Sequence, residues 1–555
     1  MNFYESDHQL KRVLKSKLDE EFFNWADKEL VEFGHECATT IDERAMHTDR
    51  EGQPRLIKYD KYGDDQSYVW LNEGYRKTRD YAYENGVVGY IHKEIPQLGR
   101  KGNYLYSFAQ GYLLSQSEPG FYCPVTLSMA TAYLLDTYAD DRLKEKYLPH
   151  VLSTGEVELY EGATFLTERQ GGSDVGANET KAIFKGGTYK LYGEKYFASN
   201  AGACGVATVL ARTEEAPEGT KGLSLFLVPW KKEDGSLNGL SLRRLKDKLG
   251  VRAVPSAEVM FDGAEAYLIG EKEQGFYYMM EALNLSRICN AVASVGIMRR
   301  AYNESWQYVH KRDAFGKKLI DYPMIQDTLV KMLVKQEVET NSVFELGHLF
   351  DKWAKGLSSN LDEGLLRLHI ALLKAETAEK AIHFSQEAIE IHGGNGYIED
   401  FVTPRLLRDA QVLTVWEGTA NILGLEVMRL FNKYNIDEVF VNDLIYKLNQ
   451  ISEEASEEKK ELFDIIGILE KELRTFKSLN SPTQTRAVKQ LAKKMVCCME
   501  AVAALQQFSE TKSPREKAIF RVYMQSELIP LFHLRSTGWT LEEGQIILGK
   551  SFAQL

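Results

Sequence analysis

The sequence has little cysteine: six in 555 residues (Cys37, Cys123, Cys204, Cys289, Cys497, Cys498). They form no C-x-x-C pair and no disulfide-framework spacing, so neither a disulfide scaffold nor a metal site is expected. Adjacent Cys497 and Cys498 fall on an expected helix and read as packing residues. No run approaches the ~18 apolar residues of a membrane span. The opening stretch MNFYESDHQLKRVLKSKL is of mixed charge and lacks the apolar core of a signal peptide. The expectation is a cytoplasmic, soluble chain. A formal net charge of −12 leaves no whole-chain basic footprint for nucleic acid, although a local patch stays open. No G-x-G-x-x-G fingerprint supports a Rossmann site. Tandem repeats and low-complexity segments are also missing.

What is present is an ordinary globular composition, 44% hydrophobic and 27% charged. The length calls for about three or four structural domains. Residues 1–161 read as mostly helical, with SMATAYLLDTYADDRLKEKYLPHVLSTGE the clearest piece. KGNYLYSFAQGYLLSQSEPGFYCPVT reads as a helix followed by a turn broken by proline and glycine. Between 162 and 273, short apolar or alternating runs are separated by turns, with Gly186-Gly187 and Asp262-Gly263 expected between strands. Strands at this density predict a small barrel or sandwich. Long helices return over 274–433 and predict a four-helix bundle, one helix ending near Phe315-Gly316 and another at Gly393-Gly394. Residues 434–555 read as a further helical segment, acidic at first and richer in Lys and Arg over 471–535. The fold class is thus mainly α with a central β domain.

The most informative stretch is Val415-Trp416-Glu417-Gly418-Thr419-Ala420-Asn421. It holds one acid between an aromatic residue and a glycine. Alone, Trp-Glu-Gly-Thr reads more readily as a helix-capping carboxylate than as a catalytic base. A carboxylate in that setting is partly desolvated, which raises its basicity, and the glycine leaves room for a substrate.

Three blocks, in order across the changes in secondary structure, decide between these readings. They are Leu166-Thr167-Glu168-Arg169-Gln170-Gly171-Gly172-Ser173-Asp174-Val175; Arg312-Asp313-Ala314-Phe315-Gly316; and His392-Gly393-Gly394-Asn395-Gly396-Tyr397 with Arg408-Asp409 and Trp416-Glu417-Gly418-Thr419. Together they resemble the acyl-CoA dehydrogenase family over roughly residues 60–433. Arg244-Leu245-Lys246-Asp247-Lys248-Leu249-Gly250 and the extra C-terminal helices are similar to its AidB-like branch.

The resemblance implies an N-terminal helical domain, a β-barrel and a four-helix bundle. It implies an FAD-dependent enzyme that forms a trans-2-enoyl thioester from acyl-CoA, with an electron-transfer flavoprotein as partner and a homotetrameric assembly. Glu417 takes the position of the base, with Arg287, Trp416 and Gly418 beside the substrate. For Arg287, a surface ion pair with Glu281 is nearly as good a reading. Leu166, Thr167, Gly172 and Ser173 match positions at the flavin and its pyrophosphate, and Phe197 and Ser199 match positions at the isoalloxazine ring. Arg312 and Phe315 resemble the pair that clamps FAD from a neighbouring subunit; a guanidinium suits a diphosphate because it donates two parallel hydrogen bonds. Gly393 and Gly394 fall at the ADP half, with Thr419 and Asn421 beside the base.

Two positions depart from the family pattern. Pro323 stands where a cofactor-holding Gln is usual, with Gln326 one turn on as its substitute, and Glu390 replaces another Gln. Both bear on FAD affinity. Asn284, Leu285 and Ser286 put no rival carboxylate on the helix where a neighbouring branch keeps its base. A second reading is a DNA-associated flavoprotein of the AidB kind, with Lys471, Arg474, Lys477, Arg486, Lys489, Lys493, Lys494, Lys512, Arg515, Lys517 and Arg521 near phosphates. A solvated helical face is the better reading of those charges. A third gives the extension to membrane association or oligomer packing.

Overall fold

The computed structural model describes residues 2–452 and 455–533. The expected segments 434–555 and 471–535 therefore run past the described residues.

The N-terminal part comprises α1 (His8–Lys17), α2 (Glu20–Glu36), α3 (Asp42–Arg50), strands β1 (Arg55–Tyr59) and β2 (Asp65–Trp70), α4 (Glu73–Glu84), α5 (Gly89–His92), the short pair β3 (Glu94–Ile95) and β4 (Arg100–Lys101), then α6 (Tyr104–Ser115), α7 (Pro119–Tyr138) and α8 (Asp141–Val151). Short polar side chains start several of these helices. Asp19 accepts from Phe22 N–H, Asn72 from Tyr75 N–H and Asn103 from Tyr106 N–H, each satisfying a donor that the helix leaves open. Every residue of α6 is buried, as its nearly continuous apolar composition requires. The turn expected after this helix is only Gln116–Glu118. Pro119 opens α7, because a first-turn residue needs no amide donor. The β1–β2 hairpin was not expected in this helical stretch.

Seven strands follow: β5 (Gly162–Phe165), β6 (Lys181–Lys185), β7 (Thr188–Ser199), β8 (Val206–Thr213), β9 (Leu223–Pro229), β10 (Leu240–Leu245) and β11 (Ser256–Ile269). Strand β11 pairs with β7, β7 with β6, β6 with β8, β8 with β9, and β9 returns to β11. The sheet therefore closes into a barrel, with β5 and β10 added alongside. Gly186-Gly187 makes the expected turn between β6 and β7. Asp262-Gly263 does not make one: it is a bulge inside β11, where pairing with β7 shifts register. Gly263, at φ 75°, lets the strand bend and continue to β9.

Helices α9 (Gly275–Lys311), α10 (Pro323–Ala354), α11 (Asn360–His392), α12 (Thr403–Leu413) and α13 (Ala420–Tyr434) make the bundle. Between α9 and α10, the pair β12 (Asp313–Ala314) and β13 (Lys317–Lys318) turns through Phe315 (φ 50°) and Gly316 (φ 80°), the left-handed pair of a tight hairpin. The extension supplies α14 (Ile436–Asn449), α15 (Ser456–Ser478), α16 (Ser481–Thr511), α17 (Pro514–Tyr523) and α18 (Ile529–His533). Helix α16 packs on α10, α11 and α13, and its Met495–Met499 run, with both cysteines, is buried. Among the described residues no helix is long and apolar enough to cross a membrane.

Candidate active site

The centre of the site is the short connection from α12 to α13. Glu417 adopts φ 52° and Gly418 φ 106°. A non-glycine residue held in the left-handed region costs of order 1–3 kcal/mol and persists only where its surroundings impose it. Here two buried cations do so. Lys374, from α11, donates to the carbonyls of Trp416 (2.6 Å) and Gly418 (2.8 Å). Arg287, from α9, donates through Nε to the carbonyl between them, that of Glu417, at 2.9 Å. Asn290, one turn along α9, bridges the Leu413 carbonyl (3.2 Å) and Glu417 Oε2 (2.8 Å).

These contacts remove the capping reading of Glu417. Its carboxylate bonds Asn290 rather than an amide of α13, and the first turn of α13 has no side-chain cap. The surface ion pair considered for Arg287 is also not formed. Arg287 is buried against the Glu417 loop, while Glu281 accepts from the hydroxyls of Tyr133 and Tyr138. The backbone N–H of Glu417 has no protein acceptor among the described residues. Glu417 is half-buried, yet removal of water is the largest influence on it and raises its pKa, against the smaller pull of Lys374, Asn290 and Arg287. Burial likewise pulls Lys374 down to about 8.

The barrel reaches this loop from one side. Cys123 of α7 feels the charges of both Glu417 and Lys248, though burial dominates and pushes its thiol up to about 12. Gly250 packs so closely on Arg408 and Asp409 of α12 that a Cβ would lie 2.3 Å from the Arg408 carbonyl oxygen. Val251 N–H donates to Asp409 at 2.6 Å. Lys248 crosses the same turn, donating to the carbonyls of Val251 and Val254, and stands 3.4 Å from Ser256 Oγ. Ser256 in turn lies 3.4 Å from Ser199 Oγ.

The Gly-rich loop after β5 is anchored by buried Glu168. It accepts from Lys195 (2.8 Å), Thr180 N–H and hydroxyl, and Glu179 N–H. Tyr196 N–H holds the Thr167 carbonyl at 2.9 Å, and the Lys195 ammonium reaches that of Leu166 at 3.3 Å. Beyond this anchor Gly172 and Ser173 are exposed. At the end of β7, Phe197 is exposed and Ser199 half-buried on one face, with Ala198 buried on the other.

The remaining cofactor candidates divide into two groups. Gly393 (φ 58°) and Gly394 are exposed with open space beside them, and Thr419 and Asn421 are exposed at the start of α13. Arg312 is exposed with no side-chain partner among the described residues, and Phe315 is 98% exposed at its hairpin tip, far from the Glu417 loop in sequence and unburied by this chain. Gln326 is not a free donor: its amide donates to the Ile320 carbonyl at 2.9 Å. Pro323 opens α10, and exposed Glu390 accepts from Gln386. Sequence reasoning missed Lys374 and Asn290. The usable signal was a lysine within the apolar run LRLHIALLKA and an amide within RICNAVASV.

The basic stretch of the extension is mostly paired with carboxylates, while Arg474, Arg515 and Arg521 stay more than half exposed on its helices. Arg474 pairs with Glu470, Lys477 with Asp437, Lys493 with Glu376, Lys494 with Glu472, Arg515 with Glu337, and Lys517 and Arg521 with Glu458. Arg486 and Lys512 also have partners.

Three family models match the chain: the AidB N-terminal domain over residues 1–155, the acyl-CoA dehydrogenase middle domain over 163–264 and the acyl-CoA dehydrogenase C-terminal domain over 273–430. Acyl-CoA dehydrogenase family member 11 of Caenorhabditis elegans is 35% identical over 78% of this chain and 72% of its own. The putative acyl-CoA dehydrogenase AidB of Escherichia coli is 31% identical over 78% of each. Among solved structures, Caenorhabditis elegans ACDH-11 in complex with C11-CoA superposes with a TM-score of 0.91 at 28% identity, covering 100% of this chain and 96% of that one. The apo form of Bd2924 gives 0.83 at 32% identity, covering 91% and 98%. The helical N-terminus, the closed barrel, the bundle with its added helices and these matches agree: the chain belongs to the acyl-CoA dehydrogenase family, in its AidB-like branch.

Proposed function

We propose that this protein is an FAD-dependent acyl-CoA dehydrogenase that converts an acyl thioester to its trans-2-enoyl form, with Glu417 as the base. One observation carries the reading. A desolvated carboxyl of raised basicity is held on a loop that two buried cations fix in an otherwise costly backbone conformation. Glu417 takes the α proton, and its unpartnered N–H is available to donate to the thioester carbonyl, which would stabilise developing enolate charge by a few kcal/mol. Trp416 and Gly418 border the reacting carbons.

The residues present suit an FAD. Open glycines at 171, 393 and 394, the exposed Phe197, and the uncommitted side chains of Thr419 and Asn421 leave donors and space free for a ring and a diphosphate, while Gly172 packs against the Thr167 side chain. Leu166, Thr167 and Ser173 border the same loop. When bound, FAD supplies the acceptor for the β hydride that no side chain can take. Arg312 and Phe315, exposed at a short hairpin, fit contact with a cofactor on a second copy, in keeping with a homotetramer. The reading includes four structural units (1–161, 162–273, 274–433, 434–555), a cytoplasmic location in fatty acid metabolism, and reoxidation by an electron-transfer flavoprotein.

The test is anaerobic titration of the purified protein with a panel of acyl-CoAs, followed by flavin absorbance, with Glu417→Gln as control. Bleaching by at least one acyl-CoA, lost in the variant, is expected; no bleaching by any of them would sink the proposal. The kinship with AidB keeps one alternative, a DNA-bound flavoprotein with weak dehydrogenase activity. Duplex affinity that falls steeply with salt would favour it, while the internal pairing of the extension's cations weighs against it.

A further inference from the structure

We infer that Lys374 is the positioning residue of the Glu417 base: by tying the carbonyls of Trp416 and Gly418, its ammonium fixes the left-handed turn that presents the carboxyl to the substrate. The inference rests on the proposed role of Glu417, but its geometry does not. Three consecutive carbonyls, 416 to 418, point inward to cations from two helices, and Lys374 holds the outer two. It is 1% exposed and forms no ion pair within 4 Å of any carboxylate among the described residues, so its buried charge is compensated by peptide dipoles and by Glu417 at longer range. A buried lysine spent on two backbone oxygens has no packing justification that a methionine would not meet equally well. What only the ammonium supplies is the tether and the charge.

Those two contributions are separable. The tether sets where the carboxyl sits; the charge opposes the effect of burial on it. The groups facing Glu417 are Lys374 from α11, Arg287, Asn290 and Cys289 from α9, and Cys123 from α7. Of the cations, Lys374 exerts the larger pull. Removing it leaves burial less opposed, so the Glu417 midpoint moves up and the pH–rate curve moves to the alkaline side.

The experiment compares the parent holoprotein with K374M, K374Q and K374R. Glu417 is titrated by carbon NMR of carboxyl-labelled glutamate, its signal assigned by its loss in E417Q, and acyl-CoA turnover is measured across pH. In K374M the midpoint of the Glu417 signal should rise and kcat should fall about 100-fold with little change in KM, as expected for a misplaced reacting group. K374Q should keep part of the rate but show the raised midpoint, and K374R should restore the midpoint towards that of the parent. A K374M or K374Q protein that is less heat-stable yet titrates and turns over like the parent would overturn the inference, leaving Lys374 a packing residue. If no acyl-CoA is turned over by any form, the dehydrogenase reading fails, and the NMR midpoint still decides whether Lys374 governs Glu417.

Discussion

Two buried lysines on neighbouring helices of the bundle show how similar burial serves different ends. Lys335 of α10 and Lys374 of α11 are 2% and 1% exposed. Lys335 lies within 3.0 Å of three carboxylates: Glu339 of its own helix, Glu376 of α11 and Glu500 of α16. Their attraction outweighs its desolvation and holds its pKa well above the ordinary value. Lys374 meets carbonyls instead and falls to about 8. The first site is closed and self-compensating. Its Glu376, Cys497 and Glu500 approach closely enough to hold a metal, yet the Lys335 ammonium already sits against both carboxylates. The second leaves an acid incompletely compensated and only half-buried. Perturbed protonation alone therefore does not mark a reactive site; perturbation with access does.

The most severe way to break this comparison is to neutralise the acid at the open site. Glu417→Gln should lower the rate of acyl-CoA-dependent flavin reduction by about 10²–10⁴-fold, the range for loss of a general base, without lowering the thermal midpoint. Stopped-flow absorbance and calorimetry read the two quantities. The reverse is expected at the closed site. Lys335→Met strands buried carboxylates from three helices and should cost about 3–5 kcal/mol, read as a lower unfolding midpoint, while correctly folded protein keeps its flavin reduction rate. A stable Lys335→Met protein would mean that the cluster is no staple between extension and bundle.

The contrast also marks what could be read from sequence. The three-block order and the switch from helical to alternating periodicity are local signals; they carry the architecture and single out the Glu417 stretch as the candidate. The β1–β2 hairpin escaped because large apolar side chains stand on its exposed face (Ile57, Tyr59, Tyr68) as well as its inner one (Leu56, Val69), so no apolar-in, polar-out alternation identifies the strands. Asp262-Gly263 has the composition of a turn, and only pairing with two partners shows it to be a bulge. Lys374 and Asn290 lie 43 and 127 residues from Glu417 and touch it only through the packing of α9 and α11 against the α12–α13 connection. The charges of the extension were visible; their partners, on other helices, were not.

A smaller effect sharpens the distinction between groups that this chain satisfies and groups that it leaves open. Arg312→Ala removes a cation with no side-chain partner among the described residues, so stability should change little. If Arg312 meets a diphosphate, retention of FAD should weaken by about 1.5–3 kcal/mol, roughly 10- to 100-fold, the scale of a hydrogen bond to a charged group. Fluorescence of released flavin on dilution measures it, and unchanged retention would remove Arg312 from the cofactor site.

The smallest expected effect tests burial without function. Glu118, at the start of α7, is buried, and desolvation, opposed mainly by the charge of Arg405 and reinforced by Asp409 and Asp49, raises it to about 8. Between the ordinary value of 4.5 and about 8, the folded chain keeps this proton while the unfolded chain releases it. Stability attributable to Glu118 therefore falls as pH rises through that window and stays low above it. Glu118→Gln should match the parent below pH 4.5 and increasingly exceed it as pH rises to 8. Parallel pH–stability curves for the two proteins would show that a buried acid near this interface ionises normally, and would weaken the case that burial alone prepares Glu417.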